Sequence, residues 1–203
     1  MLYWFVKLLL TAFFRVFYRF EVRGTEHIPK KGALIVVANH SSALDPLALG
    51  AAFPRPIAFM AKSELFRNPI LGGLLRALYA FPVRRGLVDR DAYRRSIDIL
   101  KAGKVLGVFP EGTRSETGEL LPPHAGAGRF ALQTGTSVLP AALLGTHAAI
   151  KKGTTTLKKS RIVVVFGDPI VVRRPDDGRL MREEVDSLSR VLMEKVQELM
   201  TES

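Results

Sequence analysis

Five short apolar runs set the rhythm of the chain: residues 34–38, 57–61, 105–109, 138–144 and 162–166. Several contain no polar position at all, the pattern of strands covered on both faces. Stretches with helical spacing lie between them. Residues 45–52 open on Asp45-Pro46, an N-cap followed by a good first helical residue. Residues 69–79 are apolar, with Gly72 and Gly73 early on. Residues 91–102 run into Gly103 and residues 128–134 into Gly135, where glycine closes a helix. Residues 180–200 carry Met181, Val185, Leu188, Leu192, Val196 and Leu199 on one face, the signature of an ordinary packing helix. Strands alternating with helices predict an α/β fold: one domain with a mixed, largely parallel central sheet flanked by helices. The irregular insert is expected at residues 145–159, and no internal repeat is present.

The first twenty residues follow another pattern. Tyr3, Trp4, Phe5, Phe13, Phe14, Phe17, Tyr18 and Phe20 are interleaved with Leu and Val, and the charges are Lys7, Arg15 and Arg19. At roughly 100° per residue those cations share one stripe, with Thr11 among them. A spanning helix needs about 20 mostly uncharged residues, and here the longest uncharged run inside the helix is Leu8 to Phe14. The pattern predicts residues 1–20 to be an amphipathic helix lying in a membrane surface, and residues 21–203 to be the folded domain. A core or oligomer helix is the other reading. No charge precedes the apolar run and no small-residue cleavage site follows it, so a signal peptide is not expected.

Composition narrows the partners. The 203 residues include 30 basic and 19 acidic side chains, a formal charge of +11, which calls for an anionic partner. The cations fall into small groups rather than one tract, and no zinc-finger, RNA-recognition or basic-zipper spacing is present, so nucleic acid is not expected. With no cysteine there is no disulfide framework, thiol nucleophile or thiolate metal site, and no metal is expected.

Candidate chemistry begins just after the first strand, at Asn39-His40-Ser41-Ser42-Ala43-Leu44-Asp45-Pro46. A histidine and an aspartate at this spacing point roughly 140° apart on a helix and to opposite faces of a strand. They meet only where the chain turns, as it does between a strand and a helix. There the carboxylate holds one imidazole nitrogen and leaves the other free as a base. Taken alone, the pair also fits a loop histidine beside a helix cap. A second stretch, Phe109-Pro110-Glu111-Gly112-Thr113-Arg114-Ser115, also follows an apolar run, and Phe81-Pro82-Val83-Arg84-Arg85-Gly86 and Val138-Leu139-Pro140-Ala141-Ala142 are a third and a fourth.

In this order and spacing the four stretches resemble the glycerolipid acyltransferases, above all the 1-acyl-sn-glycerol-3-phosphate (lysophosphatidic acid) acyltransferases. The resemblance spans residues 24–169, and its two main motifs are specific together although neither is alone. It implies direct attack of an acceptor hydroxyl on an acyl thioester, with His40 as base and Asp45 as its orienter. No Gly-x-Ser-x-Gly elbow is present, so no acyl-enzyme is expected.

The resemblance also places Glu111, Gly112, Thr113 and Arg114 in the acceptor site. Arg114 is suited to grip a phosphate bidentately and Arg85 to add a second guanidinium. Lys62 sits where the family has a lysine near the reacting carbonyl, and with the Gly112 amide it is the expected oxyanion stabiliser. One departure stands out: His124-Ala125-Gly126 occupies the place where many relatives have a lysine two residues before the glycine, and Arg84 is a possible replacement for that charge.

The implied reaction makes phosphatidic acid from lysophosphatidic acid, with glycerol 3-phosphate or a lyso-aminolipid as the alternative acceptor. The implied partners are lysophosphatidic acid, an anionic membrane surface, and acyl-CoA or acyl carrier protein as co-substrate, with no bound cofactor. The implied location is peripheral or monotopic, on the cytoplasmic face of the cell membrane.

Overall fold

The computed structural model describes residues 1–84, 86, 89–154 and 156–202. Helix α1 (Leu2–Tyr18) leads into strand β1 (Glu21–Arg23), β2 (Leu34–Ala38), α2 (Asp45–Ala52) and β3 (Ile57–Lys62). Then come α3 (Pro69–Ala77), β4 (Phe81–Val83), α4 (Arg90–Lys101), β5 (Val105–Val108) and α5 (Gly126–Thr134). The chain closes with β6 (Val138–Leu144), α6 (Thr146–Ala149), β7 (Val163–Phe166) and α7 (Arg182–Thr201). One seven-stranded sheet has the order β1-β7-β6-β2-β5-β3-β4. Only the β6–β7 pairing is antiparallel, so the sheet is mixed and largely parallel as expected.

β2 lies at the centre and every residue of it is buried. Its side chains alternate between two cores, as the period of two requires. Leu34, Val36 and Ala38 pack with α1 and α2, whereas Ile35 and Val37 pack with α4, α5 and α7. The two strands without a sequence signal, β1 and β4, are the two sheet edges and only three residues long. Such pieces are too short to show a period, and Pro82 in β4 is of a kind tolerated only at an edge. The expected irregular insert contains the short helix α6.

Helix α1 packs on the domain through one side. The Lys7–Thr11 part of its polar stripe faces the domain rather than solvent. Phe14 and Tyr18 are buried in the core, and Lys7 Nζ donates to the Phe53 carbonyl and lies 5.5 Å from the Trp4 ring centroid. Burial lowers the Lys7 pKa from its ordinary value. Leu2, Trp4, Phe5, Leu8, Leu9, Val16 and Phe17 are left exposed, with Arg15 and Arg19 at the far end. Phe14 also packs edge-on against Phe13 and stacked with Phe20. Phe14→Ala is therefore expected to destabilise the protein by about 3–5 kcal/mol, measured by urea unfolding without any lipid. A change under about 1 kcal/mol would mean the helix is not part of the cooperative unit. No described helix is long and apolar enough to cross a membrane.

Candidate active site

β2 and β5 are neighbouring parallel strands, with Val37 opposite Val108. Parallel strands end at a common edge, and the segments leaving that edge build the site. His40 lies two residues past β2, and Glu111 three past β5. Asn39 carries the β2–β6 ladder beyond the strand end with its side chain: Nδ2 donates to the Leu143 carbonyl at 2.9 Å and Oδ1 accepts from the Leu143 amide at 2.7 Å.

His40 Nδ1 and Asp45 Oδ2 are 2.8 Å apart, at the start of α2. Asp45 is fully buried, and the same oxygen accepts the amides of Ser41 and Ser42, each at 2.7 Å. A carboxylate so loaded is an acceptor, which assigns the proton to Nδ1 and the lone pair to Nε2. Among the described residues Nε2 has no partner. Pro46 supplies the first turn of α2 as expected, but Asp45 is the first helical residue rather than the cap, so its carboxylate is turned back to the loop. The imidazole stacks on Phe109, with centroids 4.3 Å apart and planes at 21°, and Phe59 stacks behind Phe109. The Phe59 ring crosses β5 where a Cβ on Gly107 would lie 2.3 Å from it, so glycine is required there.

Glu111 is 2% exposed and joins the two loops. Its Oε1 accepts the His40 amide at 2.6 Å and its Oε2 the Leu121 amide at 2.9 Å. The Ser115 amide in turn donates to the His40 carbonyl at 2.8 Å. The peptide groups on both sides of His40 are thus gripped from the β5 loop. Burial raises the pKa of the Glu111 carboxyl, partly offset by the two amides. Both oxygens are engaged inside the protein, which fits a positioning residue better than the acceptor contact expected from the sequence.

The expected site residues are placed unequally. Arg114 is half-buried on the β5 loop, and no described residue pairs with its guanidinium; Thr113 is exposed beside it. Gly112 has φ +66, and its amide donates to the Phe109 carbonyl at 3.0 Å, closing the turn. That amide is engaged in the turn. A Cβ on Gly112 would lie 2.8 Å from the His124 ring, so this turn and the segment entering α5 touch directly. Lys62 ends β3, pairs with Glu64 at 3.5 Å, and makes no hydrogen bond with His40 or Gly112 among the described residues. Arg84 is held by Asp89, whose carboxylate accepts its amide at 2.9 Å and its Nε at 3.3 Å, so its charge is already partnered. Arg85 lies outside the described residues.

Two further histidines, His27 and His147, do not reproduce this arrangement. His27 does have a carboxylate partner, Asp168 at 2.7 Å, but that aspartate is 88% exposed and far more solvated than Asp45. His147 packs over Gly118. Phe59 and Gly107 are parts of the site that sequence reasoning did not single out, and only a cross-strand contact explains them. Phe109 and Ser115 bound the recognised stretch, but the sequence assigned them no role.

A buried His–Asp pair at the carboxyl edge of an α/β sheet, beside an unpaired arginine, suits base-assisted attack on an ester or thioester next to an anionic group. A family model described as Acyltransferase matches residues 19–144. The 1-acyl-sn-glycerol-3-phosphate acyltransferase of Bacillus subtilis is 30% identical over 181 residues, covering 88% of this chain and 87% of its own length. The protein of the same name from Borreliella burgdorferi is 36% identical over 177 residues, covering 86% and 69%. The crystal structure of the 1-acyl-sn-glycerophosphate (LPA) acyltransferase PlsC from Thermotoga maritima matches with a TM-score of 0.78 at 32% identity, over 96% of this chain and 78% of that one. With a family model covering more than half of its length, and relatives aligned along most of it, this chain belongs to the acyltransferase family.

Proposed function

We propose that this protein is a 1-acyl-sn-glycerol-3-phosphate acyltransferase working at a membrane surface. It moves a fatty acyl group from an acyl thioester to the free sn-2 hydroxyl of lysophosphatidic acid and makes phosphatidic acid. The observation that carries the chemistry is the 2.8 Å His40–Asp45 contact with Nε2 left free. Nε2 removes the hydroxyl proton as the oxygen attacks the thioester carbon. The tetrahedral intermediate collapses by breaking the C–S bond, and the imidazolium returns its proton to the departing sulfur. Asp45 keeps the ring in one tautomer and stabilises its cationic form. The acceptor identity comes from the relatives and from Arg114.

The purified protein, given labelled acyl-CoA, is expected to convert lysophosphatidic acid to phosphatidic acid. Turnover of only glycerol 3-phosphate or a lyso-aminolipid would overturn the acceptor. Arg114→Ala is expected to raise the acceptor KM roughly tenfold or more, from the loss of a charge-assisted bond. Steady-state kinetics would show the donor KM little changed, and equal damage to both values would remove Arg114 from the phosphate site.

The membrane reading rests on surface chemistry. The exposed face of α1 is almost wholly aromatic and aliphatic, and a second exposed apolar group, Leu65, Ile70, Leu71, Leu74 and Tyr79, lies around α3. The Tyr3 and Tyr79 rings meet edge-on at 5.4 Å, so the two groups adjoin. Contiguous apolar surface of this kind, with Arg15 and Arg19 alongside, suits insertion among acyl chains of an anionic leaflet. We place the enzyme on the cytoplasmic side of the membrane, where thioester donors are made. Deleting α1 would also remove Phe14 and Tyr18 from the core, so point changes make the cleaner test. Trp4→Asp with Phe5→Asp and Leu8→Asp is expected to abolish flotation with anionic liposomes while keeping the fold. Undiminished flotation would place the anchor on α3 instead.

A further inference from the structure

α4 and α5 pack on the face of the sheet opposite α1, and a groove of about 830 Å³ runs between them. Arg90, Arg94 and Lys101 line it from α4, Arg129 from α5, and Arg174 from the segment before α7. Positions 90, 94, 97, 98 and 101 share one helix face, so the cations follow the length of α4, about 18 Å for twelve residues. Of the two acidic groups in the groove, Asp89 is occupied in capping α4 and holding Arg84. Asp98 is exposed and pairs with no cation. None of the five cations has a carboxylate within ion-pair distance among the described residues. Like charges left unpaired along a groove repel one another, and a partner of opposite sign relieves that repulsion.

The walls of this groove are tied to the catalytic edge. α4 begins at Asp89, which grips Arg84 at the end of β4. α5 begins just after His124, whose amide donates to the Pro110 carbonyl in the Glu111 loop at 2.8 Å. The groove also lies in the helix layer opposite α1, and so opens away from the apolar surface assigned to the membrane. The lipid acceptor and a water-soluble donor then have separate approaches.

We propose that this α4–α5 groove docks an acidic carrier protein that bears the acyl thioester, seating an acidic helix along the row of cations. The proposal rests on the acyltransferase reading above and specifies the donor for the same site. The spread of charge decides the occupant. Three cations strung along the length of α4, with Arg129 and Arg174 also lining the groove, match an acidic helix in a groove, whereas the phosphates of a nucleotide need a compact cluster. Attraction of this kind speeds association and is weakened by salt.

The test compares acyl carrier protein and coenzyme A as carriers of the same acyl chain, with lysophosphatidic acid as acceptor. Arg94→Glu with Arg129→Glu is expected to raise the KM for the carrier-protein donor at least about tenfold, with kcat, the acyl-CoA KM and the acceptor KM unchanged. Arg94→Gln with Arg129→Gln is expected to give a smaller rise of the same selectivity. Increasing salt should raise the carrier-protein KM of the wild type and flatten that of the charge-reversed protein. Equal rises for both donors, or none, would overturn the docking site. Turnover of acyl-CoA without any turnover of the carrier-protein donor would overturn it too and leave the acyltransferase reading standing. Failure with both donors would instead remove that reading.

Discussion

His40→Ala is expected to lower acyl transfer by on the order of 10²–10⁴-fold, the usual contribution of a positioned general base. No other described histidine combines a buried orienting carboxylate with a free second nitrogen. The protein should remain folded. Asp45 Oδ2 keeps the amides of Ser41 and Ser42 after the imidazole is gone, and the space beside Phe109 opens at the site rather than in either core. Turnover at saturating substrates, beside far-ultraviolet circular dichroism and a thermal melt, checks this. A folded variant with near-normal turnover would end the base assignment.

Glu111→Ala is expected to lower kcat by about 10²-fold while the acceptor KM changes only a few-fold, since a small misplacement of a catalytic group is enough for such a loss. The carboxylate is the tie that draws the His40 amide toward the β5 loop. Without it the amides of His40 and Leu121 both lose their acceptor, at about 1–3 kcal/mol each. Glu111→Gln retains one acceptor oxygen and should recover part of kcat. A predominant rise in acceptor KM would return Glu111 to the acceptor site.

The pH dependence has a definite sign. The raised carboxyl pKa means the folded protein binds this proton more tightly than the unfolded chain does. That contribution to stability is therefore present at low pH and is lost as pH rises through the folded value. The ionised form of Glu111 thus opposes stability while serving the geometry of the site. Equilibrium unfolding of wild type and Glu111→Gln across that range is expected to show the wild type losing stability relative to the variant as pH rises.

The central strands were legible because burial on both faces leaves an unbroken apolar run, as in residues 34–38. The edge strands were not, because three residues carry no period. The His40–Asp45 contact could be read from local spacing, since a strand-to-helix turn is the one local geometry that joins the two groups. The bond from Glu111 to the His40 amide could not. It depends on β2 and β5 being neighbours, which is a fact of strand order. The facing of α1 was not legible either, for a related reason. A helical wheel gives the stripe of Lys7 and Thr11, but which side meets the domain depends on the pocket formed by α2 and Phe53.

The grip on His40 also bears on how the enzyme fails under heat. Its peptide groups are bonded to Glu111 and Ser115, which leave the neighbouring central strand. The base therefore has little freedom to loosen ahead of the sheet. Inactivation and global melting should coincide on a temperature ramp, and the His40 and Ser115 amides should exchange with deuterium as slowly as those of β2 and β5. An enzyme built this way has no warm, folded and idle state, and it keeps a working active centre until the sheet itself comes apart.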